Sequence, residues 1–234
     1  MATVIVALDV PGADKALALA DQLGDEVSFY KIGLSLFTLE GPAVVRELRA
    51  RGKRIFLDLK FHDIPNTVAR AVESAAALDV ELLTLHTTGG AAMMRAAREA
   101  AGEHGPRLLG VTLLTSMSAH AVGEVWGRDV ATEQEVLRLA GHAAESGLHG
   151  VVASPLEAAR IRQRHGPGFL VVTPGIRAAG DAAGDQVRTA TAAQATAAGA
   201  DYLVVGRPII AAADPRAAAR AINAEIAHSS SAAS

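Results

Sequence analysis

Eight short runs rich in β-branched residues alternate with longer segments rich in Ala, Leu, Glu and Arg along the chain. Strands that alternate with helical patterns indicate βαβ units and a parallel sheet, and eight such units make a closed barrel. We therefore predict an α/β fold, a (β/α)8 (TIM) barrel forming one catalytic domain over residues 1–227, followed by a disordered tail at 228–234. The runs are TVIVALD (3–9), VSFYKIG (27–33), RIFLDLK (54–60), ELLTLH (81–86), RLLGVTLL (107–114), GVVAS (150–154), FLVVTPG (169–175) and DYLVVGR (201–207).

A doubly wound open sheet is the alternative architecture for this alternation. The 234 residues would suffice for two average domains, but they also suit one α/β barrel. No Gly-x-Gly-x-x-Gly follows the first run, which weakens the open-sheet alternative. Residues 116–140, which include the only tryptophan, Trp126, are longer than a tight connection and are predicted to form a loop followed by a helix.

Charge, cysteine content and hydropathy exclude several classes of protein. The formal net charge of -3 does not suggest the basic face of a nucleic-acid-binding protein. The absence of cysteine excludes disulfides, thiolate chemistry and zinc sites with cysteine ligands. MATVIVALDV lacks a basic segment and is interpreted as a first strand rather than a signal peptide, and no apolar run approaches the ~20 residues of a membrane span. We expect a soluble, cytoplasmic protein with no nucleic-acid or membrane partner.

Polar residues or glycine end nearly every predicted strand. In a barrel the carboxyl ends of the strands form one rim, and active sites are built there. The sequence therefore predicts a site at this rim. The residues that end strands one, three, four, five, six and eight are Asp9, Asp58 with Lys60, His86, Thr115, Ser154, and Gly206 with Arg207.

The third strand carries an unusual pair of charges, Asp58 and Lys60. Side chains two residues apart share one face of a strand, so both are predicted to point into the barrel. A buried charge is costly unless it has partners, and Lys31 on the second strand and Asp63 just beyond the third would supply them. We interpret these four residues as an alternating Lys–Asp–Lys–Asp cluster. Such a cluster in a barrel mouth marks chemistry more often than a structural salt-bridge network.

Some of these residues also have a simple structural interpretation. Asp9 stands where a turn-forming aspartate is common, and Lys31 alone would be read as a surface residue with its stem on apolar surface. His86 could be a hydrogen-bonded histidine at a strand end. Asp63 precedes Ile64-Pro65-Asn66, and taken alone it is predicted to be the N-cap of a helix with proline in its first turn.

The last two strands are followed by residues suited to bind phosphate. The seventh leads into TPGIRAAGDAAGDQ (173–186), whose composition suits a mobile loop that could deliver Arg177 and Gln186. After the eighth, Gly206 permits close backbone approach, Arg207 supplies a fork of donors, and Pro208 suits the start of a short helix. Barrels often bind phosphate with these two loops. The alternative is a plain surface loop beside a surface arginine.

The run DLKFHDIPNT (58–67) resembles the signature of the orotidine 5'-phosphate decarboxylase family, which catalyses the last step of de novo UMP synthesis. The ten-residue signature is highly specific, whereas the small glycine motifs alone would be weak. The resemblance extends over nearly the whole chain, through VALD (6–9), KIGLSLFTLEGP (31–42), HTTGG (86–90), VTLLTSM (111–117), TPGIR (173–177), GDQ (184–186) and VVGRP (204–208).

The resemblance implies a catalytic role for each member of the charged cluster. Lys60 corresponds to the general acid that protonates C6 of the pyrimidine as carbon dioxide leaves. Asp58 would lie near the departing carboxylate, and Lys31 and Asp63 would complete the charged network. The reaction implied, orotidine 5'-monophosphate to UMP, requires no metal and no other cofactor.

The resemblance also implies how the substrate is held. Asp9 and Lys31 match positions that bind the ribose hydroxyls, and Thr115 matches a contact near the pyrimidine. Asp63 and Thr67 match residues that reach into the neighbouring subunit's site, which implies a homodimer with shared active sites. The phosphate side is matched by Arg177, Gln186 (on the closing loop), Gly206 and Arg207.

Two other functions remain as alternatives. Sugar-phosphate decarboxylases and synthases of the same superfamily share the Asp-x-Lys-x-x-Asp pattern but use magnesium, held in part by an acidic residue on the second strand. Here that position is Lys31, which would repel a divalent cation. The other alternative is a non-catalytic barrel that binds a phosphate-bearing ligand, which the intact Lys/Asp cluster disfavours.

Overall fold

The computed structural model describes residues 1–177 and 188–231. Within these ranges eight parallel strands pair in chain order, and the last pairs with the first to close a barrel. The predicted (β/α)8 barrel is confirmed, and the open sheet is excluded. The strands are β1 (Thr3–Ala7), β2 (Phe29–Gly33), β3 (Arg54–Phe61), β4 (Leu82–His86), β5 (Arg107–Val111), β6 (Gly150–Val152), β7 (Leu170–Thr173) and β8 (Tyr202–Val205).

Helices connect the strands and cover the outside of the barrel. Proline in the first turn marks the start of several of them, because a fixed φ suits that position and no N–H is lost there. The helices are α1 (Ala13–Leu23), α2 (Leu34–Glu40), α3 (Pro42–Ala50), α4 (Pro65–Ala76), α5 (Gly90–Ala101), α6 (Ala119–Trp126), α7 (Thr132–Glu145), α8 (Pro155–His165), α9 (Ala192–Ala197), α10 (Arg207–Ile210) and α11 (Pro215–Ser231).

Alternating side chains of the strands form two apolar cores. One face packs against the helices, as Leu57 does, while the other fills the barrel, as Phe56 does. This alternation is the one predicted from the sequence. It places Lys31 and Asp58 on the same strand faces as Phe29 and Phe56, which fill the barrel, so both charged side chains point toward the barrel mouth. The residues that fill the barrel are Ile5, Ala7, Phe29, Phe56, Leu82, Leu109, Val172, Tyr202 and Val204.

The amino-terminal end of the barrel is closed by a polar cluster. Arg54 donates two hydrogen bonds of 2.6 and 2.7 Å to Glu81, and its guanidinium lies 4.2 Å from the centre of the Phe29 ring. Arg107 bonds to Glu81 as well and donates to the Tyr202 hydroxyl at 2.8 Å. The bidentate Arg54–Glu81 pair and the two bonds of Arg107 link the starts of β3, β4, β5 and β8 at the end opposite the predicted site.

The pairing of β3 with β4 is irregular at its carboxyl end. Leu57 pairs with Leu83, but the next pair is Phe61 with Leu85. The chain of β3 therefore advances four residues while β4 advances two. This bulge contains Asp58 and Lys60, and bulges of this kind commonly re-aim side chains beside active sites.

Residues 116–140 form two helices rather than the predicted loop and single helix. Ser118 accepts a hydrogen bond from the Ala121 N–H and so begins α6, which ends at a left-handed Gly127. The connection to α7 is fixed by Glu135, which accepts a hydrogen bond of 2.9 Å from the Trp126 indole. Sequence periodicity did not reveal α6 because this helix has only eight residues.

The last helix, α11, runs on to Ser231, four residues into the segment predicted to be disordered. The remaining residues, 232–234, lie outside the described ranges. No helix in either described range is long and apolar enough to cross a membrane.

Candidate active site

A cavity of about 710 Å³ opens at the carboxyl ends of the strands, where the sequence predicts the site. Charged and polar residues on β2 and β3, and in the segments that follow β1, β5, β7 and β8, meet around it. Its polar and glycine lining consists of Asp9, Lys31, Asp58, Lys60, Thr115, Ser116, Gly175, Arg177, Gly206 and Arg207.

Lys31 on β2 lines this cavity and is almost fully buried. Its ammonium lies 3.4 Å from Oδ1 of Asp9 and 3.6 Å from Oδ2 of Asp58. Gly33 leaves room for it, since a Cβ at that position would come within 3.0 Å of the Lys31 Nζ atom. The two carboxylates offset the cost of burying the ammonium.

Asp58 is the buried centre of the cluster. Lys60 donates a hydrogen bond of 2.8 Å to its Oδ1 atom, and Lys31 lies on the side of its Oδ2 atom. Burial alone would raise the pKa of Asp58, but the charges of Lys31 and Lys60 and hydrogen bonds from Lys60 and Thr84 outweigh it and lower the pKa. Asp58 is therefore ionised at neutral pH between two ammonium groups.

Lys60 lines the cavity from the bulge of β3. Its backbone is left-handed, with φ at 52°, which is unusual for a residue with a side chain. Its N–H does not continue the β3–β4 ladder but donates to the hydroxyl of Thr84 at 2.9 Å. The predicted common orientation of Asp58 and Lys60 is thus reached through a bulge rather than through regular alternation.

Asp63 does not join the charged cluster within one chain. It is exposed, and among the described residues it makes no ion pair with Lys31 or Lys60. Its Oδ1 atom accepts a hydrogen bond of 2.6 Å from the next N–H, that of Ile64. The N-cap prediction for Asp63 is wrong, because Ile64 occupies the cap position of α4 and no side chain caps that helix.

The residues that follow Asp63 are also exposed. Thr67 lies in the first turn of α4, and Ile64 is 67% exposed although its side chain is large and apolar. Within the chain, neither Asp63 nor Thr67 lines the cavity. Both belong to one uncovered strip, residues 62–67, which directly follows β3.

Arg177, Gly206 and Arg207 meet at the side of the cavity formed by β7 and β8, as predicted. Arg177 is anchored by its N–H, which bonds to the Ala190 carbonyl at 3.0 Å. Gly206 precedes α10, which begins with Arg207 and Pro208 as expected. A Cβ on Gly206 would lie 3.7 Å from Ala7 and from Asp9, an ordinary contact distance. Gln186, the fourth residue predicted for this side, lies outside the described residues.

Thr115 lines the cavity from the loop that follows β5 and is buried. Two other polar residues that end strands have different roles. Ser154 caps α8 by accepting a hydrogen bond from the Leu156 N–H. His86 packs against His62, with 5.3 Å between ring centres, and burial together with nearby His62 and Lys60 lowers the pKa of His86.

Sequence reasoning missed Thr84 and Gly33. Thr84 sits in the middle of β4, fully buried, with its hydroxyl between Lys60 and Asp58. Its only signal was a polar β-branched residue in a run of leucines, which is ordinary in a strand. Gly33 ends β2, and the need for glycine there becomes apparent only once the position of the Lys31 ammonium is known.

The described residues contain no group of three or more His, Asp or Glu side chains placed to hold a metal ion. Two carboxylates, those of Asp9 and Asp58, lie within 4 Å of the Lys31 ammonium. The ammonium lies where a cation between them would lie.

A (β/α)8 barrel with charged side chains around a cavity at its carboxyl rim has the architecture of a barrel enzyme. The chain belongs to the orotidine 5'-phosphate decarboxylase / HUMPS family, whose model matches residues 2–222.

Individual members of this family are similar to the chain over nearly its whole length. The orotidine 5'-phosphate decarboxylase of Halorhodospira halophila is 55% identical over 225 residues, which cover 95% of each chain. That of Nitrosococcus oceani is 51% identical over 225 residues, covering 95% of this chain and 97% of the relative. The crystal structure of orotidine 5'-phosphate decarboxylase from Lactobacillus acidophilus superposes with a TM-score of 0.86 at 38% identity, covering 97% and 99% of the two chains.

Proposed function

We propose that the protein decarboxylates orotidine 5'-monophosphate to UMP and carbon dioxide, the last step of de novo pyrimidine nucleotide synthesis. The observation that carries the proposal is the position of Lys60. Its ammonium bonds to buried Asp58 inside the same cavity that Arg177, Gly206 and Arg207 line from β7 and β8. A nucleotide with its phosphate on those residues would extend toward Lys60.

The chemistry requires a group that stabilises negative charge on a ring carbon. When the bond between C6 and the carboxylate breaks, the electron pair remains on C6 and no carbonyl is placed to delocalise it directly. A fixed ammonium next to C6 stabilises this charge, and preorganised electrostatics is usually the largest catalytic contribution. Lys60 then gives its proton to C6 as general acid, which forms UMP, and is reprotonated from solvent.

Asp58 is proposed to lie beside the substrate carboxylate. Two carboxylates at close range repel each other, and the repulsion disappears when carbon dioxide leaves. Because its pKa is lowered, Asp58 is charged when the substrate arrives. Lys31 and Lys60 flank it and keep the site neutralised before binding.

The remaining contacts are assigned from the lining of the cavity and the family resemblance. Asp9 and Lys31 would bind the ribose hydroxyls, and Thr115 would contact the pyrimidine. The phosphate would be held by Arg177, Arg207, the backbone at Gly206, and Gln186. Binding energy at the phosphate, remote from C6, would then contribute to the stabilisation of the transition state.

We further propose a homodimer with shared active sites. Asp63 and Thr67 lie on the exposed strip next to β3, where a second copy of the chain could receive them. The large exposed fraction of Ile64 supports a partner on this strip, since a second chain would cover it. The proposed enzyme acts on a soluble nucleotide in the cytoplasm, with no nucleic-acid or membrane partner.

Lys31 argues against the magnesium-dependent sugar-phosphate reactions of the same superfamily. The ammonium sits between Asp9 and Asp58, where it would repel a divalent cation. We therefore propose a reaction without metal or other cofactor.

A substrate panel tests this choice. The purified protein should convert orotidine 5'-monophosphate to UMP in the presence of EDTA, followed by ultraviolet absorbance. It should not decarboxylate 3-keto-gulonate phosphate with or without magnesium. Turnover of the sugar phosphate, or none of the nucleotide, would contradict the proposal.

A further inference from the structure

The backbone of Lys60 is held in an unfavourable conformation. Its φ of 52° is one of two positive values among the non-glycine residues of the described ranges, the other being that of Asp79. A left-handed lysine persists only where surrounding contacts stabilise it. The bulge of β3 removes the usual ladder partner of the Lys60 N–H, because the pairing jumps from Leu57 to Phe61.

Thr84 supplies the missing partner. It lies on β4 between Leu83 and Leu85, the two residues on either side of the irregular pairing, and is fully buried. Its hydroxyl accepts the Lys60 N–H at 2.9 Å and donates to Oδ1 of Asp58 at 3.0 Å. The same Oδ1 atom accepts from the Lys60 ammonium at 2.8 Å.

These three hydrogen bonds form a closed ring through both ends of Lys60. One hydroxyl has a single proton and two lone pairs. Since the Lys60 N–H occupies a lone pair, the proton is free to point at Asp58. Thr84 thus connects the strained backbone of Lys60 to the carboxylate that holds its ammonium, although it does not line the cavity itself.

We propose that Thr84 is a positioning residue for the reaction: its hydroxyl holds the backbone of Lys60 and the carboxylate of Asp58 in register. This inference rests on the proposed function, in which Lys60 must lie at C6. Without the hydroxyl, the partly buried N–H of Lys60 and one oxygen of Asp58 each lose a partner, and the ammonium moves from its place. Thr84 acts through these two residues and touches no substrate.

The test compares Thr84→Val, which keeps the shape but removes the hydroxyl, with Thr84→Ser, which keeps the hydroxyl. For Thr84→Val we expect kcat to fall about 10- to 100-fold, the size of effect that small misplacements produce, with KM changed less than about threefold. Thr84→Ser should retain most of the wild-type kcat. Should Thr84→Val not fold, Thr84→Ala, which introduces no bulk, carries the same expectation.

Thr87→Val is the matched control, because Thr87 is also buried and its hydroxyl bonds to the Val111 carbonyl at 2.9 Å, away from Lys60. It should lose stability but not kcat. A purely structural role of Thr84 would give the two valine variants similar kinetics and would overturn the proposal, as would a serine variant as slow as the valine variant.

Hydrogen exchange at the Lys60 amide provides a measurement that does not depend on turnover. The amide should be protected in the wild type and in Thr84→Ser and should exchange faster in Thr84→Val. Equal protection in all three would contradict the inference. If the exchange pattern is as expected but the wild type does not decarboxylate the nucleotide, the proposed function has failed and the catalytic meaning of Thr84 falls with it.

Discussion

The ammonium of Lys60 donates a 2.8 Å hydrogen bond to Oδ1 of Asp58, so the proposed proton donor rests on a buried carboxylate before substrate arrives. Lys31 approaches the other oxygen of Asp58, at 3.6 Å. In the proposed reaction the substrate carboxylate enters next to Asp58. When it leaves as carbon dioxide, Lys60 transfers the proton that it had directed at Asp58 to C6 of the pyrimidine.

Lys60→Ala should reduce turnover by about 10³-fold or more, since it removes the fixed charge and the proton donor together. The fold should persist, because Asp58 keeps Lys31 as a partner. UMP binding, measured by calorimetry, should therefore remain. Lys15→Ala, at an exposed position of α1, is the control and should be as active as the wild type. Turnover near the wild-type rate in Lys60→Ala would refute its role.

Shared sites predict complementation between two inactive variants. In a heterodimer of Asp63→Ala and Lys60→Ala, one site combines intact Lys60 from one chain with intact Asp63 from the other. Random exchange between the subunits of a two-fold dimer should restore about a quarter of the wild-type activity.

The matched control for this experiment mixes Asp58→Ala with Lys60→Ala. Both of these residues come from the same chain of each site, so no mixed dimer has an intact site and activity should stay absent. Verified subunit exchange without recovery in the Asp63 mixture would exclude sharing through Asp63.

Arg207→Ala tests the phosphate side of the cavity. Loss of a hydrogen bond to a charged group, typically about 1.5–3 kcal/mol, should lower kcat/KM for the nucleotide about 10- to 100-fold. The slow reaction of orotidine, which has no phosphate, should change little. Arg46→Ala, on an exposed position of α3, should affect neither substrate. An equal loss for nucleotide and nucleoside would place Arg207 elsewhere in the mechanism.

Glu135 gives a pH-dependent contribution to stability. The hydrogen bond from Arg138 is the largest influence on its pKa; burial opposes it, and Trp126 and Arg128 add to it, so that the pKa is lowered to about 2 from an ordinary 4.5. A lowered pKa stabilises the fold above the unfolded value, and this stabilisation is lost as pH falls from about 5 toward 2.

Glu135→Gln should therefore reduce the free energy of unfolding by about 2 kcal/mol at pH 7, with the difference shrinking as pH falls below about 4. Urea unfolding at several pH values measures it. Glu47→Gln, at an exposed glutamate that pairs with Arg51, is the control and should leave the free energy of unfolding nearly unchanged. A pH-independent cost for Glu135→Gln would show that packing, not charge, is lost.

The fold and part of the site could be predicted because strand alternation has a period of two. That period places Lys31 and Asp58 inside the barrel whatever the details of packing, and their mutual contact follows from adjacent strands. The position of Asp63 could not be derived in this way, because it stands beyond the strand and its proposed target is a second chain. Its place directly after β3 suggested contact with the two lysines, and among the described residues the structure shows no ion pair of Asp63 with Lys31 or Lys60 within one chain.

Thr84 and the contact of Trp126 with Glu135 escaped prediction for a related reason. Each depends on an irregular feature, the bulge of β3 or the turn after α6, that leaves no periodic pattern in the sequence. In the run ELLTLH a buried threonine reads as an ordinary strand residue. Its importance appears only when the Lys60 N–H is seen to lack a ladder partner.

The role of Lys60 as proton donor is tested by the reaction of orotidine 5'-monophosphate in D₂O with EDTA. The Lys60 ammonium exchanges its protons with solvent, so we expect one carbon dioxide for each UMP formed and deuterium at C6 of that UMP. Lys60→Ala, assayed in parallel, should form almost none. Absence of UMP, UMP formed only after magnesium is added, or equal rates for the wild type and Lys60→Ala would contradict it.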